Sequence, residues 1–274
     1  MTFSIIVVCR NAGEKLHKTI ESIRRQTEED YEIIVQDGFS TDGSVEWLAV
    51  REAGEKLRIF REKDTGIYDA MNRAVAHASG RYFFFLNCGD YFEDETVLAR
   101  VKNEIAGTDG GKRVRIFYGD IRERATDTLV MSNPKIDDFA CYRNVPCHQA
   151  CFYDRRLLKK RGFRTCYKIR ADYEHFLWCY YRAHASMHYM PVIVSSYEGD
   201  GFSEKKENKR RSAVEHAHIV RKYMSRGQVF KYGLILFVTM APLRTYLAKN
   251  EATAAFYQKI KRRLYEGGEI EKSH

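Results

Sequence analysis

The run Phe83-Phe84-Phe85-Leu86 carries no polar side chain to present to water. A strand there has to be covered on both faces, which points to the interior of a parallel sheet flanked by helices. It gives way at once to Asn87-Cys88-Gly89-Asp90, a polar turn closed by a carboxylate. Open sheets of this kind bind ligands beyond the carboxyl ends of their strands. Upstream, residues 4–9, 31–36 and 57–61 are further apolar, β-rich runs. Between them, residues 15–26, 44–54 and 67–78 place apolar side chains at helical spacing. This alternation predicts an α/β fold with a doubly wound, mostly parallel central sheet and right-handed crossovers.

Past Asp90 the rhythm loosens. Residues 95–105 read as a helix, 116–120 as a strand, 121–150 as irregular, a helix begins near Ala171, and 191–197 form a late strand. No boundary is visible before about residue 201. The expected division is a domain over 1–203, with a nucleotide-binding half 1–90 and an acceptor half 91–203, followed by a helical extension over 204–274.

Charge marks the extension. Residues 1–203 hold 30 Lys+Arg against 30 Asp+Glu, whereas 204–274 hold 16 against 7, so the whole net charge of +9 lies in the tail. Its apolar stretch, residues 232–241, is too short to span a bilayer, which takes about 20 residues. Two readings stay open. The stretch lies at an anionic membrane surface with Lys231, Arg244, Lys249 and the cluster 259–263 toward lipid, or it packs on the domain or on a second copy in a homodimer.

Seven cysteines, an odd number without a CxxC pair, sit mostly in apolar runs and read as the reduced thiols of a cytoplasmic protein. Cys141, Cys147 and Cys151 with His148 do not have the spacing of zinc-ligand pairs. Residues 5–8 are too short, and lack the basic leader, for a secretory signal.

Three elements carry candidate chemistry. In Asp37-Gly38-Phe39-Ser40-Thr41-Asp42-Gly43-Ser44, Asp37 stands at a strand end where it can accept from a nucleobase or ribose, and Asp42 or Ser44 can cap the next helix. In Asp64-Thr65-Gly66-Ile67-Tyr68-Asp69-Ala70-Met71-Asn72-Arg73, Asp64 can cap the helix, Asp69 and Asn72 share a face, and Arg73 can reach a phosphate. In the third, Asn87 to Asp90, one carboxylate suffices for a divalent metal only if diphosphate oxygens complete its coordination sphere.

Together, in this order, these elements resemble the family 2 glycosyltransferases of the GT-A fold. The likeness spans roughly residues 1–203. It implies that Asp37, Asp64, Asn72, Arg73 and Asn87 serve the nucleotide-sugar donor, and that Asp90 ligates Mg²⁺ or Mn²⁺ at the place of the family's Asp-x-Asp motif, with Asn87 departing from it. It further implies inversion at the anomeric carbon. The general base is expected at Asp172 in Arg170-Ala171-Asp172-Tyr173-Glu174, with Glu174 as the alternative and Ala171 replacing the family's first acid. Asp69, His148, Gln149, Arg170 and Ser203 are candidate pocket residues, the last in a loop resembling the family's Gly-Gly-x-Ser segment.

The expected partners are a nucleoside-diphosphate sugar, most simply a UDP-sugar, and a saccharide or lipid-linked saccharide acceptor at the inner face of the cell membrane, as in O-antigen or capsule assembly. Three other classes compete. A nucleic-acid binder fits a pI near 9.1 but not a charge confined to the tail. A catalytically silent relative is suggested by Asn87 and Ala171. A nucleotidyltransferase would need a basic, Gly-rich phosphate loop where Cys9-Arg10-Asn11-Ala12-Gly13 stands.

Overall fold

Strands 3–9 and 31–37 pair in parallel register from Phe3 opposite Tyr31 to Cys9 opposite Asp37, so both end at the same edge. The computed structural model describes residues 1–51, 56–108, 113–199 and 206–238. In chain order its first half runs β1 (Phe3–Cys9), α1 (Glu14–Arg24), β2 (Tyr31–Asp37), α2 (Ser44–Arg51), β3 (Leu57–Arg61), α3 (Ile67–His77), β4 (Tyr82–Phe85), β5 (Tyr91–Phe92) and α4 (Val97–Ala106). The second half runs β6 (Arg115–Glu123), β7 (Thr128–Val130), α5 (Asp138–Arg143), a 3₁₀ turn His148–Ala150, β8 (Cys151–Asp154), α6 (Arg155–Lys160), α7 (Ala171–Tyr181), β9 (Ser186–Tyr197), α8 (Lys206–Tyr223) and α9 (Arg226–Val238).

The strands line up as β3-β2-β1-β4-β8-β6-β9-β5, with β7 on the side of β6. The first four are parallel. β8 then runs antiparallel between β4 and β6, and β9 returns parallel to β6. β1, β2 and β4 are buried almost throughout, as continuous apolar runs demand. On one face Phe3, Ile5, Val7, Ile33, Val35 and Phe84 pack with Leu16, Ile20 and Ile23 of α1 and Val97, Leu98 and Val101 of α4 in a single core. α3 packs on β1 and β2, and its buried Ala70, Met71, Ala74 and Val75 recur at helical spacing.

The region 121–150, expected to be irregular, holds the end of β6, the hairpin strand β7, the capped helix α5 and the 3₁₀ turn. These pieces are too short for periodicity to reveal. β8, also unexpected, occupies the centre of the sheet because Phe152 and the neighbouring Tyr153 are buried against Phe84 and Phe85. Opposite the β6 bulge, a β-carbon on Gly119 would meet the Val192 carbonyl at 2.3 Å, so the close approach of β6 and β9 requires glycine.

The expected boundary at 203 is also displaced. The compact unit extends to Tyr223, and a second unit begins at Met224. α8 belongs to the first because Glu215 accepts the backbone N–H groups of Lys168, Ile169 and Arg170, at 2.9, 3.0 and 2.9 Å. Among the described residues no helix is long and apolar enough to cross a membrane.

Candidate active site

The Asn87–Asp90 turn follows β4 directly. Thr19 of α1 holds it by donating to the Asp90 carbonyl at 3.0 Å and accepting from the Gly89 N–H at 2.9 Å. Asp90 is buried, and its Oδ2 accepts from Gln149 Nε2 at 2.9 Å. Burial pushes its carboxyl above the usual range, and the Gln149 bond and the nearby His148 and Arg124 charges only partly offset that. Gln149 is itself fixed by Ser195 of β9, whose hydroxyl donates to the Gln149 carbonyl at 2.7 Å, and by the Cys147 thiol on Oε1.

His148 joins the two halves of the sheet. Its Nδ1 lies 3.1 Å from Asp172 Oδ2 and its Nε2 lies 3.0 Å from Asn87 Nδ2. The His148 and Asp172 side chains are 13% and 23% exposed, so the pair is sheltered yet reachable from solvent. Burial alone would lower the His148 pKa, but the hydrogen bond to Asp172, the Cys147 thiol and the carboxylate charge raise it well above the ordinary imidazole value. Conversely, burial alone would raise Asp172, while His148, the Tyr173 amide and the Tyr68 hydroxyl bring it below the usual carboxylate range. A doubly protonated His148 needs an acceptor at Nε2. The Asn87 amide supplies one when turned so that Oδ1 faces the ring, which also partners the buried Oδ1 that otherwise has none.

Three contacts set the position of Asp172 on the first turn of α7. Its Oδ1 accepts the Tyr173 N–H at 2.8 Å. The Tyr68 hydroxyl of α3 stands 2.9 Å from both that oxygen and the Ile169 carbonyl, its single proton shared between them. Glu215 holds the backbone just before the helix. Neither Tyr68 nor Glu215 is visible as a site residue in the sequence. Their only local signal is a helical pattern, and their contacts bridge 101 and 46 residues of chain.

At the ends of β1 and β2, the loops 10–13 and 38–43 are stitched together. The Asn11 N–H donates to Ser40 Oγ, the Thr41 N–H to Asn11 Oδ1 and the Gly13 N–H to Asp42 Oδ2, each at 2.8 Å. Asp42 also caps α2 as expected, accepting from the Ser44 N–H at 3.2 Å. Asp37 is wholly buried, with Oδ1 accepting from the Ser40 N–H and hydroxyl and Oδ2 paired with Arg61 Nε at 3.0 Å. It organises the loop rather than offering a carboxylate to a ligand. Asp64 takes the open position. Its Oδ1 accepts from the Gly66 N–H, which makes a turn instead of the expected helix cap, and its Oδ2 lies 2.6 Å from where a β-carbon on Gly38 would stand.

Other expected donor and pocket residues are drawn into the framework. Asn72 clamps Phe163, accepting its N–H at 2.7 Å and donating to its carbonyl at 2.8 Å, which leaves its amide no role in a donor contact. Arg73 pairs with Asp69 at 3.4 Å and Glu62 at 3.7 Å, and Asp69 accepts from the Thr65 N–H as well. Arg170 donates to Ser212 Oγ at 2.7 Å and so ties α7 to α8 instead of reaching a phosphate. Glu174 is fully buried against Arg161, Lys222 and the Tyr223 hydroxyl, at 2.5, 2.5 and 2.6 Å. A carboxylate so enclosed cannot meet an acceptor hydroxyl, which removes it as the alternative base. Ser203 lies outside the described residues.

Among the described residues no group of three His, Cys, Asp or Glu side chains is gathered to hold a metal, including Cys141, Cys147 and Cys151. The donor set near the turn is Asp90 plus the orphaned Asn87 Oδ1, two hard oxygens. That set fits a divalent cation only if a ligand brings most of the coordination sphere.

The model of the glycosyl transferase family 2 domain matches residues 4–162. Over 202 residues the chain is 35% identical to a PGL/p-HBAD biosynthesis glycosyltransferase of Mycobacterium tuberculosis, covering 73% of this chain and 77% of the relative. Among solved structures, Staphylococcus aureus TarS 1–349 in complex with UDP superposes with a TM-score of 0.63 at 18% identity, covering 90% of this chain and 78% of that one. The match covers 41% of the longer TarS chain. The mannosyltransferase PcManGT of Pyrobaculum calidifontis, in complex with GDP-Man and Mn²⁺, gives 0.65 at 17% identity, covering 97% and 81%. The sheet and flanking helices are therefore GT-A-like, and the chain belongs to glycosyl transferase family 2.

Proposed function

We propose that the chain transfers a sugar with inversion from a nucleoside diphosphate to an acceptor hydroxyl, with Asp172 as general base. The observation that carries this reading is the bridge made by His148 and Gln149. Consecutive residues tie Asp172 to Asn87 and hold Asp90, so the carboxylate proposed as base and the turn proposed to hold the diphosphate form one site. Asp172 would accept the hydroxyl proton as the acceptor oxygen attacks the anomeric carbon, and the nucleoside diphosphate would leave on the opposite side. Asp90, with Asn87 Oδ1 and the donor's own phosphate oxygens, would hold Mg²⁺ or Mn²⁺. Such an ion supplies charge neutralisation to the leaving group. Bound UDP and GDP-Man in the two structural relatives support a uridine or guanosine donor.

The acceptor is proposed to be a saccharide or lipid-linked saccharide at the inner face of the membrane. α9 supports this reading: its exposed Phe230, Leu234, Phe237 and Val238 fall at i, i+4, i+7 and i+8, and the tail carries the chain's excess positive charge. Seven free cysteines agree with a reducing compartment. The deciding experiment is Asp172→Asn assayed with UDP- and GDP-sugars. Transfer should vanish while nucleotide binding persists, and turnover at the wild-type rate would refute the base assignment.

A further inference from the structure

Phe39 combines two features that a phenylalanine normally avoids. Its φ is +62°, in the left-handed region where a bulky side chain is strained, and its ring is 53% exposed. No other Phe or Trp described in residues 1–223 is so exposed. The conformation is imposed by its neighbours. The Ser40 N–H and hydroxyl close back on Asp37, the Gly38 N–H donates to the Cys9 carbonyl at 3.0 Å, and Arg61 donates to the Ser40 carbonyl at 2.7 Å. Such over-determined strain clusters at ligand clamps, whereas a glycine would meet the same backbone demand without it.

The surroundings suit the flat face and polar edge of a nucleobase. The neighbouring Gly38 is packed by the Arg10 side chain, whose Cδ lies 3.5 Å from a β-carbon position there, and by Asp64 Oδ2 at 2.6 Å. That Asp64 oxygen has no hydrogen-bond partner among the described residues, while Oδ1 is anchored by Gly66. An aromatic plane beside an unsatisfied carboxylate oxygen favours a base with a ring N–H donor. Uracil and guanine carry one on their pairing edge, and cytosine and adenine do not.

We propose that Phe39 is the stacking platform for the donor's nucleobase and that Asp64 accepts its ring N–H, selecting uracil or guanine. This rests on the nucleotide-sugar reading above and adds the base-recognition pair. Base–aromatic stacking is strong enough to dominate nucleoside recognition.

The test compares wild type with Phe39→Gly, titrating UDP, GDP, CDP and inorganic pyrophosphate in the presence of Mn²⁺, with melting followed in parallel. Wild type should bind UDP or GDP at least tenfold more tightly than CDP. Phe39→Gly should weaken that binding by about tenfold or more, leave pyrophosphate binding unchanged, and melt at the same or a higher temperature. Phe39→Tyr should restore the affinity. Unchanged nucleotide affinity in Phe39→Gly, or equal loss for pyrophosphate, overturns the proposal while the transferase reading stands. A wild-type protein that binds neither UDP nor GDP overturns both.

Discussion

His148 Nδ1 and Asp172 Oδ2 stand 3.1 Å apart, one on the 3₁₀ turn that precedes β8 and the other on the first turn of α7. Through this contact the carboxylate proposed as base meets a cation in a sheltered position. The pair makes stability depend on pH in two directions. The His148 pKa is raised, so its contribution is complete below the ordinary imidazole value and is lost as pH rises through the folded value, about 10. The Asp172 pKa is lowered, so its share is present above the usual carboxylate value and is lost only as pH falls through the depressed one. Melting temperature should therefore decline from about pH 6.5 upward, and His148→Gln should flatten that alkaline slope. An unchanged slope in the variant would disprove the pairing.

Glu215→Gln should separate positioning from binding. The three backbone N–H groups before α7 would lose a charged acceptor, at about 1–3 kcal/mol of stability. Because Asp172 follows directly, kcat should fall while KM for the donor holds, and Glu215→Asp should recover part of the rate. Loss of stability with kcat unchanged would mark Glu215 as purely structural.

Asn72→Ala tests whether the amide is a framework clamp. With the Phe163 N–H and carbonyl both stripped of partners, the melting temperature should drop, by about 1–3 kcal/mol in stability. Donor affinity should not move. A variant that melts like wild type but binds nucleotide weakly would restore Asn72 to the donor site.

Glu174→Gln should act on folding. It would leave Arg161 and Lys222 buried against a neutral amide, and breaking a buried pair this way costs about 3–5 kcal/mol. At temperatures where the variant stays folded, kcat should be near wild type. A stable but inactive protein would contradict the framework role.

Metal dependence should run through the donor. Calorimetry should detect little Mn²⁺ binding to the free protein and tight binding with nucleoside diphosphate present, as the two-oxygen donor set requires. Asp90→Asn should abolish the second without preventing folding, since its Gln149 contact can persist through the amide oxygen. Strong Mn²⁺ binding by the free protein would point to a site elsewhere.

The first half of the fold was legible because its signals are local. Apolar runs long enough to be buried on both faces mark β1, β2 and β4, and α1 and α3 show their core stripes at helical spacing. β8, β7 and α5 escaped because three to six residues carry too little pattern. Among site residues, Asp90 and Asp172 were found through motif order. Asn72, Arg73, Arg170 and Glu174 were selected by the same logic, yet each is bound within the framework.

The sequence alone determined the residue types available at the strand ends, the apolar runs that must be enclosed, and the concentration of basic charge beyond residue 203. Only the tertiary structure decided which carboxylates remain open. Asp37 and Glu174 are closed by Arg61 and by Arg161 with Lys222, whereas Asp64 keeps a free oxygen and Asp172 stays partly exposed. The reason is that a carboxylate's chemistry depends on its desolvation and on the charges within a few ångströms. Those neighbours arrive from strands and helices far away in the chain, as Glu215 does for α7 and His148 for Asp172.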